Sequence, residues 1–470
     1  SATEPGADLI CPPFIPLPYS SFSDSAPISH ASSILMVSSE EEAQASRETT
    51  MLKPLLGIGS FIQGFRCLPW LAVNFFLKDG LDVDASTLQL LQTSANLPMV
   101  AKPLYGVLSD AVYIRGQHRI PYIALGSLLQ AVSWLAIAGL SPSGISLFTV
   151  TVYLLLSNLG ASMAEVANDA IVAETGKHPS SKASSSSGDL QSFVWMASSV
   201  GGVAGNLLGG VAIRRFSPQA MFLWFGLLAA VQFPITLAVG EASLDLPRAP
   251  SGNGVRRQLR DLSAALRRPE IAAAIAWFAA SYAIVPVLTG TMFFYQTRHL
   301  GVGPSVVGIS KVMGQAGMLA WGVAYRRRLR RVAPRRLICG IQAAMAVAAG
   351  WDAVFASGVL RGAGVPDGAY VVLVSGLQEV LFLFKILPFG VLVARLCPPG
   401  CEGSLMAFVM SAVALALIVG GCFGVALAAC LGVTGDDFGR LPGALLIQAA
   451  CTLVPLCWSS CIPDDGWKED

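Results

Sequence analysis

The sequence predicts an all-α integral membrane protein of about twelve transmembrane helices arranged as two six-helix bundles. Three observations predict it: the composition, the number and length of the apolar stretches, and the alternation of basic charge between them. Of 470 residues, 54% are hydrophobic and 13% charged, and mean hydropathy is +0.61, whereas a soluble domain carries nearer about 25% charged residues. The 47 Gly and 28 Pro would damage soluble helices but are ordinary in membrane helices, where neighbours re-satisfy the backbone. A soluble globular fold is excluded. With 31 basic and 29 acidic side chains, net charge +2, the chain has no polyelectrolyte character, which excludes nucleic acid as a partner class.

Residues 1–50 hold eleven Ser, six Pro, seven acidic residues and one basic residue, Arg47, and bury too little to order themselves. A plastid transit peptide shares the Ser content but is Arg-rich and acid-poor, so the tail matches that class in part. Twelve apolar stretches follow, near 55–77, 88–110, 120–140, 145–173, 190–213, 220–239, 271–295, 306–325, 337–357, 370–396, 404–431 and 441–460. Each approaches the ~20 residues that cross about 30 Å of hydrocarbon. Connections alternate in charge: Arg115 and Arg119, Lys177 and Lys182, six Arg between 248 and 268, seven between 326 and 336, and Arg395 make 18 basic residues on one side, against 6 in the intervening loops. This places both termini on the positive side. The expected organisation is a disordered tail (1–50), an N-terminal bundle (51–240), a basic linker (241–270), a C-terminal bundle (271–462) and a short tail (463–470).

An internal echo supports the division. Leu81-x-Val83-x-x-Ser86 follows the first stretch and Leu300-x-Val302-x-x-Ser305 the seventh; Gly106-Val107 and Gly322-Val323 come 20 and 17 residues later. Two six-helix halves related by repetition are the architecture of major facilitator transporters, in which the first, fourth, seventh and tenth helices line a central cavity.

Three of those four carry polar stripes. Gln63, Arg66, Trp70 and Asn74 are spaced by 3, 4 and 4 on the first, and Asn158, Ser162, Glu165 and Asp169 by 4, 3 and 4 on the fourth, one helical face in each case. The tenth has Ser375, Gln378 and Lys385, with Glu379 one residue off; the seventh adds Thr289, Thr291, Tyr295 and Gln296. Charges inside a bilayer cost several kcal/mol, so they default to functional or paired roles. The alternative is structural: an interhelical ion pair of Arg66 with Asp169 or Glu165, and a Lys385 that snorkels. Lys311 and Asp352 fall off the cavity helices and are expected to be structural.

The second stretch ends in a tight basic turn at Gly106-Val-Leu-Ser-Asp110, followed by Arg115-Gly116-Gln-His-Arg119. Gly106 permits close helix approach, and the Asp110 carboxylate can pair with an opposing helix end. The segment resembles the gating loop of major facilitator proteins, which assigns Gly106, Asp110 and Arg119 to a gate.

A narrower resemblance rests on Lys102-Pro103-Leu-Tyr-Gly106-x-x-Ser109-Asp110, Glu165-x-x-x-Asp169-Ala-x-Val-x-Glu174 and Gly188-x-Leu190-Gln191-Ser192-x-x-Trp195. In the second half it rests on Phe293-Phe294, Leu300-Gly301-x-Gly303-Pro304 and Ala394-Arg395-Leu396-Cys397-Pro398-x-Gly400-x-Glu402-Gly403. In these motifs the chain resembles the folate-biopterin transporter family, as a divergent plant-type member. Glu165 stands where the family usually has Asp.

The resemblance implies proton-coupled secondary transport of a folate or pterin by alternating access, in a monomer embedded in a lipid bilayer, the plastid envelope being the family-based host. It implies no cofactor and no metal. Arg66, Lys102 and Lys385 would meet anionic groups, while Trp70 and Tyr295 would offer aromatic faces to a pterin ring. Asn74, Asn158, Glu165, Asp169, Gln191 and Gln378 complete the candidate site, with Asp169 favoured as proton carrier or Arg66 partner. Other organic solutes, S-adenosylmethionine among them, and a non-transporting scaffold or receptor are the competing readings. An enzyme is not expected, because no nucleophile, base and orienter converge. The ten Cys sit mostly in apolar runs; Cys397 and Cys401 are the nearest to a pair, and the four His are scattered.

Overall fold

Apolar length becomes helix at each of the twelve expected crossings. The computed structural model describes residues 52–140, 146–175, 186–239, 254–396 and 402–463. In chain order the passes are α1 (Leu52–Gly80), α2 in three pieces (Ala85–Ala95, Leu97–Val100 and Lys102–Ala111), α3 (Ile120–Gly139), α4 (Leu147–Thr175), α5 (Ser186–Ala212) and α6 (Pro218–Ala238). A helix at Gly254–Leu266 precedes α7 (Pro269–Ala283, resuming at Thr289–Phe294), α8 (Pro304–Arg327), α9 (Pro334–Ala356), α10 (Asp367–Val393), α11 (Glu402–Leu431) and α12 (Leu441–Cys461). Ten described helices are long and apolar enough to span a membrane. The other two passes, α2 and α7, were expected to be continuous and are broken instead. The expected tail (1–50), Lys177, Lys182, Cys397, Cys401 and residues from 464 onward lie outside the described residues, as do the side chains of Asp110 and Gln191.

Proline explains both breaks. Pro98 and Pro103 are the second residues of the second and third pieces of α2, and Pro286 lies between the pieces of α7; each removes a donor and crowds the preceding turn. Neighbours re-satisfy what the break frees: the Val287 amide donates to the Gly420 carbonyl of α11 at 3.0 Å.

The sequence echo is a structural repeat. Both α1 and α7 end in a π-turn, Phe76–Gly80 and Tyr295–His299. Leu81 N donates to Phe76 O and Leu300 N to Tyr295 O, each at 3.0 Å; Val83 N reaches Leu77 O at 3.0 Å and Val302 N reaches Gln296 O at 3.1 Å. The intervening residue is left-handed in each copy, Asp82 at φ 48° and Gly301 at φ 64°. After it, Asp84 caps α2 through the Ser86 and Thr87 amides, and Gly303-Pro304 starts α8.

Within the N-terminal bundle α3 packs on α4 and α6, and α1 on α5 and α6; within the C-terminal bundle α9 packs on α12, α7 on α11 and α8 on α10. The bundles meet along α5–α8 and α2–α11. At the end remote from the basic loops one apolar cluster runs through both, from Phe76, Trp134 and Phe222 to Phe293, Phe355 and Leu441. At the basic end each bundle has its own: Leu56, Ile120 and Met163 in one, Phe278, Phe389 and Leu405 in the other. The remote seam is close enough to exclude side chains, since a Cβ on Gly308 would lie 2.7 Å from the Asn206 carbonyl and 3.0 Å from the Gly210 Cα. The hydroxyl of Ser305 donates across it to Gly210 O at 3.1 Å.

Candidate functional site

The break in α2 creates the site. Where an unbroken helix would bond Ala95 O, the Met99 amide turns to Asn96 O at 2.9 Å. The freed carbonyl accepts from Asn158 Nδ2 of α4 at 2.7 Å. Asn158 is thereby fixed with Oδ1 toward α1, where it accepts from Arg66 Nη2 at 2.6 Å. Arg66 Nη1 reaches Glu165 Oε1 at 3.2 Å and Gln63 Oε1 at 3.3 Å. Lys102, first residue of the third α2 piece, donates Nζ to Glu165 Oε2 at 2.6 Å. Arg66 is 3% exposed and Glu165 6%. Three helices thus converge two cations on one buried carboxylate inside the apolar slab.

Asp169 lies one turn further toward the basic end and is exposed, while Glu165 is buried. The carboxylate on Arg66 is therefore that of Glu165, which corrects the assignment favoured from sequence. Helical spacing puts both carboxylates on one face, but the depth of Arg66 selects the inner one.

Other candidates lie elsewhere. Trp70 is edge-on to Trp134 of α3 at 6.1 Å, in the bundle core. Asn74 accepts from Gln92 of α2. Tyr295 donates to Ala356 O at 3.2 Å and packs on His299, Phe355 and Phe438, at the remote end of the C-terminal bundle. Gln378 turns to Ala348 O of α9 at 2.6 Å. Lys385 neither snorkels nor faces a cavity: fully buried, it donates to Gln342 Oε1 at 2.6 Å and Ser281 Oγ at 2.9 Å and lies 3.8 Å over the Tyr282 ring. These five belong to bundle interiors.

At the expected gate, Arg115 and Gly116 both have positive φ between Ile114 and Gln117, which exchange backbone hydrogen bonds of 2.8 and 3.1 Å, a tight primed turn. Buried Arg119 donates to Ser109 Oγ at 2.5 Å, tying this turn to the end of α2. A Cβ on Gly106 would lie 3.6 Å from Val166 of α4.

The BT1 family profile matches residues 63–470. The chain belongs to the BT1 family. The Arabidopsis thaliana protein named "Probable folate-biopterin transporter 7" is 58% identical over 435 residues, covering 92% of this chain and 98% of that protein. "Probable folate-biopterin transporter 9, chloroplastic" of the same plant is 41% identical over 88% of this chain and 78% of its own. Among solved structures, a point-mutant form of the nucleoside transporter NupG matches with a TM-score of 0.67 at 14% identity, covering 87% of this chain and 99% of that one. The D-xylose-proton symporter matches with a TM-score of 0.64 at 15% identity, over 90% and 100%. The fold is that of major facilitator transporters, and this BT1 member is a multi-pass membrane transport protein, not an enzyme.

Sequence reasoning missed Gln89 and Gln92 of α2. Gln89 Nε2 donates to Val287 O at 2.7 Å and Gly421 O at 2.8 Å, and its Oε1 accepts from Gly290 N at 2.8 Å, bridging the bundles at the remote end. The signal was present: Gln89, Gln92 and Asn96 fall at steps of 3 and 4, a polar stripe like the two noted above. The ion pair between Lys311 of α8 and Glu379 of α10, at 2.6 Å, was also not foreseen.

Proposed function

We propose that the chain carries a folate or pterin across its membrane by alternating access, coupled to protons. One observation carries the reading: Arg66 and Lys102 converge on the carboxylate of Glu165, two cations that an anionic solute can engage. Arg66 Nε, buried, has no protein acceptor among the described residues, so one donor of the guanidinium fork remains for such a ligand. The names of the relatives supply the solute class. The same two cations disfavour the cationic S-adenosylmethionine.

In this reading Glu165 is the resident counter-ion that the solute displaces. Asp169, one turn nearer the basic end and exposed, is the proton carrier. The separate cores at the basic end and the shared core at the remote end support a state closed remotely, with bundles 51–240 and 271–462 rocking about the linker 241–270. The transporter acts as a monomer. The plastid envelope is the proposed host membrane, on the two relatives named chloroplastic, at 41% and 42% identity; a fluorescent fusion in plant cells tests it.

The deciding experiment is uptake of labelled folate, biopterin and S-adenosylmethionine into proteoliposomes under an imposed pH gradient. Folate or biopterin should accumulate uphill. Asp169→Asn should abolish uphill accumulation while sparing solute exchange, which needs no net proton movement. Full proton-driven accumulation by that variant would return Asp169 to a structural role, and uptake of S-adenosylmethionine alone would replace the solute.

A further inference from the structure

We propose that the Lys311–Glu379 pair is a second carboxylate-binding site on the same route, at which Lys311 takes an anionic group of the solute in place of Glu379. The proposal rests on the transport reading above and names a recognition element in the other bundle.

The pair repeats the N-terminal arrangement. In each bundle a Lys on the second helix donates to a Glu on the fourth at 2.6 Å: Lys102 to Glu165, and Lys311 to Glu379. Neither pair is sealed, with side-chain exposures of 19% and 8% in the first and 10% and 14% in the second. Position on the helices gives the direction. Lys311 shares a face of α8 with Gln315 and Gly322, four and eleven residues on, which approach Gly202 and Trp195 of α5 in the other bundle. The exposed Ile309 and Met313 stand two residues away on either side, at the opposite face. On α10, Glu379 likewise lies opposite the exposed Leu377. The charges therefore point to where the bundles face one another, and the apolar side chains point to lipid.

A purely structural role is redundant. Helices α8 and α10 already touch backbone to backbone, because a Cβ on Gly376 would collide with Ser310 O and its neighbours, so an ion pair is not needed to join them. A charge pair that adds little cohesion in an apolar slab is costly to keep. The bundles differ in one respect: Arg66 brings a second cation to Glu165, whereas Glu379 accepts from Lys311. A solute carboxylate that displaces Glu379 takes over its 2.6 Å contact to Lys311, which suits a solute whose second carboxylate arrives after the first has engaged Arg66.

Folate carries two carboxylates on its glutamate and biopterin carries none, so the two solutes form the test. With the full chain in proteoliposomes, Lys311→Gln should raise the KM for folate about tenfold or more and leave that for biopterin within about twofold. Glu379→Gln, which removes the competing carboxylate, should lower the KM for folate. Lys311→Arg, retaining the charge, should keep the wild-type folate KM and controls for folding, which detergent melting curves check for every variant. Equal effects of Lys311→Gln on both solutes, no effect on folate, or a Glu379→Gln variant that weakens folate would overturn the proposal while leaving the transport reading standing. Wild-type uptake of biopterin without folate would also overturn it. Wild-type uptake of neither solute would remove the transport reading itself and this proposal with it.

Discussion

Glu165 is the residue on which the N-terminal site turns. It meets Arg66 at 3.2 Å and Lys102 at 2.6 Å and is itself 6% exposed, so removing it leaves two cations facing each other in the apolar slab. Replacing Glu165 with Leu should cost about 3 kcal/mol of stability, and adding Lys102→Met should recover part of that loss, because the second change removes the uncompensated charge that the first creates. Melting of purified single and double variants measures the coupling; strictly additive losses would show that the three groups do not act as a unit. Asp84 illustrates the same dependence at the protein's edge. Partial burial raises its carboxyl, but the hydrogen bonds from Thr87 and Ser86 outweigh burial and hold it below its ordinary value. A depressed folded-state pKa contributes stability that is present above the unfolded value and lost as pH falls through the folded one, here below about pH 4. Asp84→Ala should cost about 1 kcal/mol near neutral pH, with the difference from wild type shrinking under acid; a difference that stays constant down to pH 2 to 3, roughly one unit under the ordinary carboxylate value, would exclude the ionised cap.

At the scale of the element, the ends of α1 and α7 show one device built twice with different residues. Each π-turn delivers the chain into a single left-handed residue before the next helix, and the first copy uses Asp82 where the second uses Gly301. Asp tolerates that region moderately well, whereas a β-branched residue does not. Gly301→Val should therefore destabilise by about 1–2 kcal/mol, and Asp82→Gly should be close to neutral. Detergent melting curves check both, and a neutral Gly301→Val would show that the turn relaxes to another conformation. The broken passes matter in a different way. An unbroken α2 would leave no free carbonyl at Ala95 for Asn158, and Asn158 would lose the contact that aims it at Arg66.

For the whole molecule, the alternating access proposed above would work through the seam between the bundles. Its remote end is joined by the shared apolar cluster, by the three hydrogen bonds of Gln89 and by the close approach of Gly210 and Gly308. A side chain at Gly308 would wedge that end apart. Gly308→Val should slow uptake at unchanged membrane abundance and make a cysteine introduced at Met292, otherwise buried, react with an impermeant thiol reagent added from the remote side, on a background depleted of native cysteines. Unchanged labelling with unchanged uptake would mean that the seam does not gate.

The amino-acid sequence by itself determined the apolar passes and their division into two repeated halves, because apolar length and the Leu81/Leu300 echo are properties of short stretches of chain. It also determined that α1 and α4 carry polar faces, since a helical period follows from spacing alone. Only the tertiary structure decided which groups meet. Periodicity orients a side chain about its own helix axis and leaves open which neighbour lies against that face and at what depth. For that reason Arg66 was legible as a partner for an α4 carboxylate while the choice of Glu165 over Asp169 was not, and Trp70, Tyr295, Gln378 and Lys385 read as cavity residues until packing turned them into the bundles. The breaks in α2 and α7 were marked in the sequence by Pro98, Pro103 and Pro286, but whether a membrane helix kinks or opens at a proline depends on a neighbour able to take up the freed backbone, which here is Asn158 for one and Gly420 for the other.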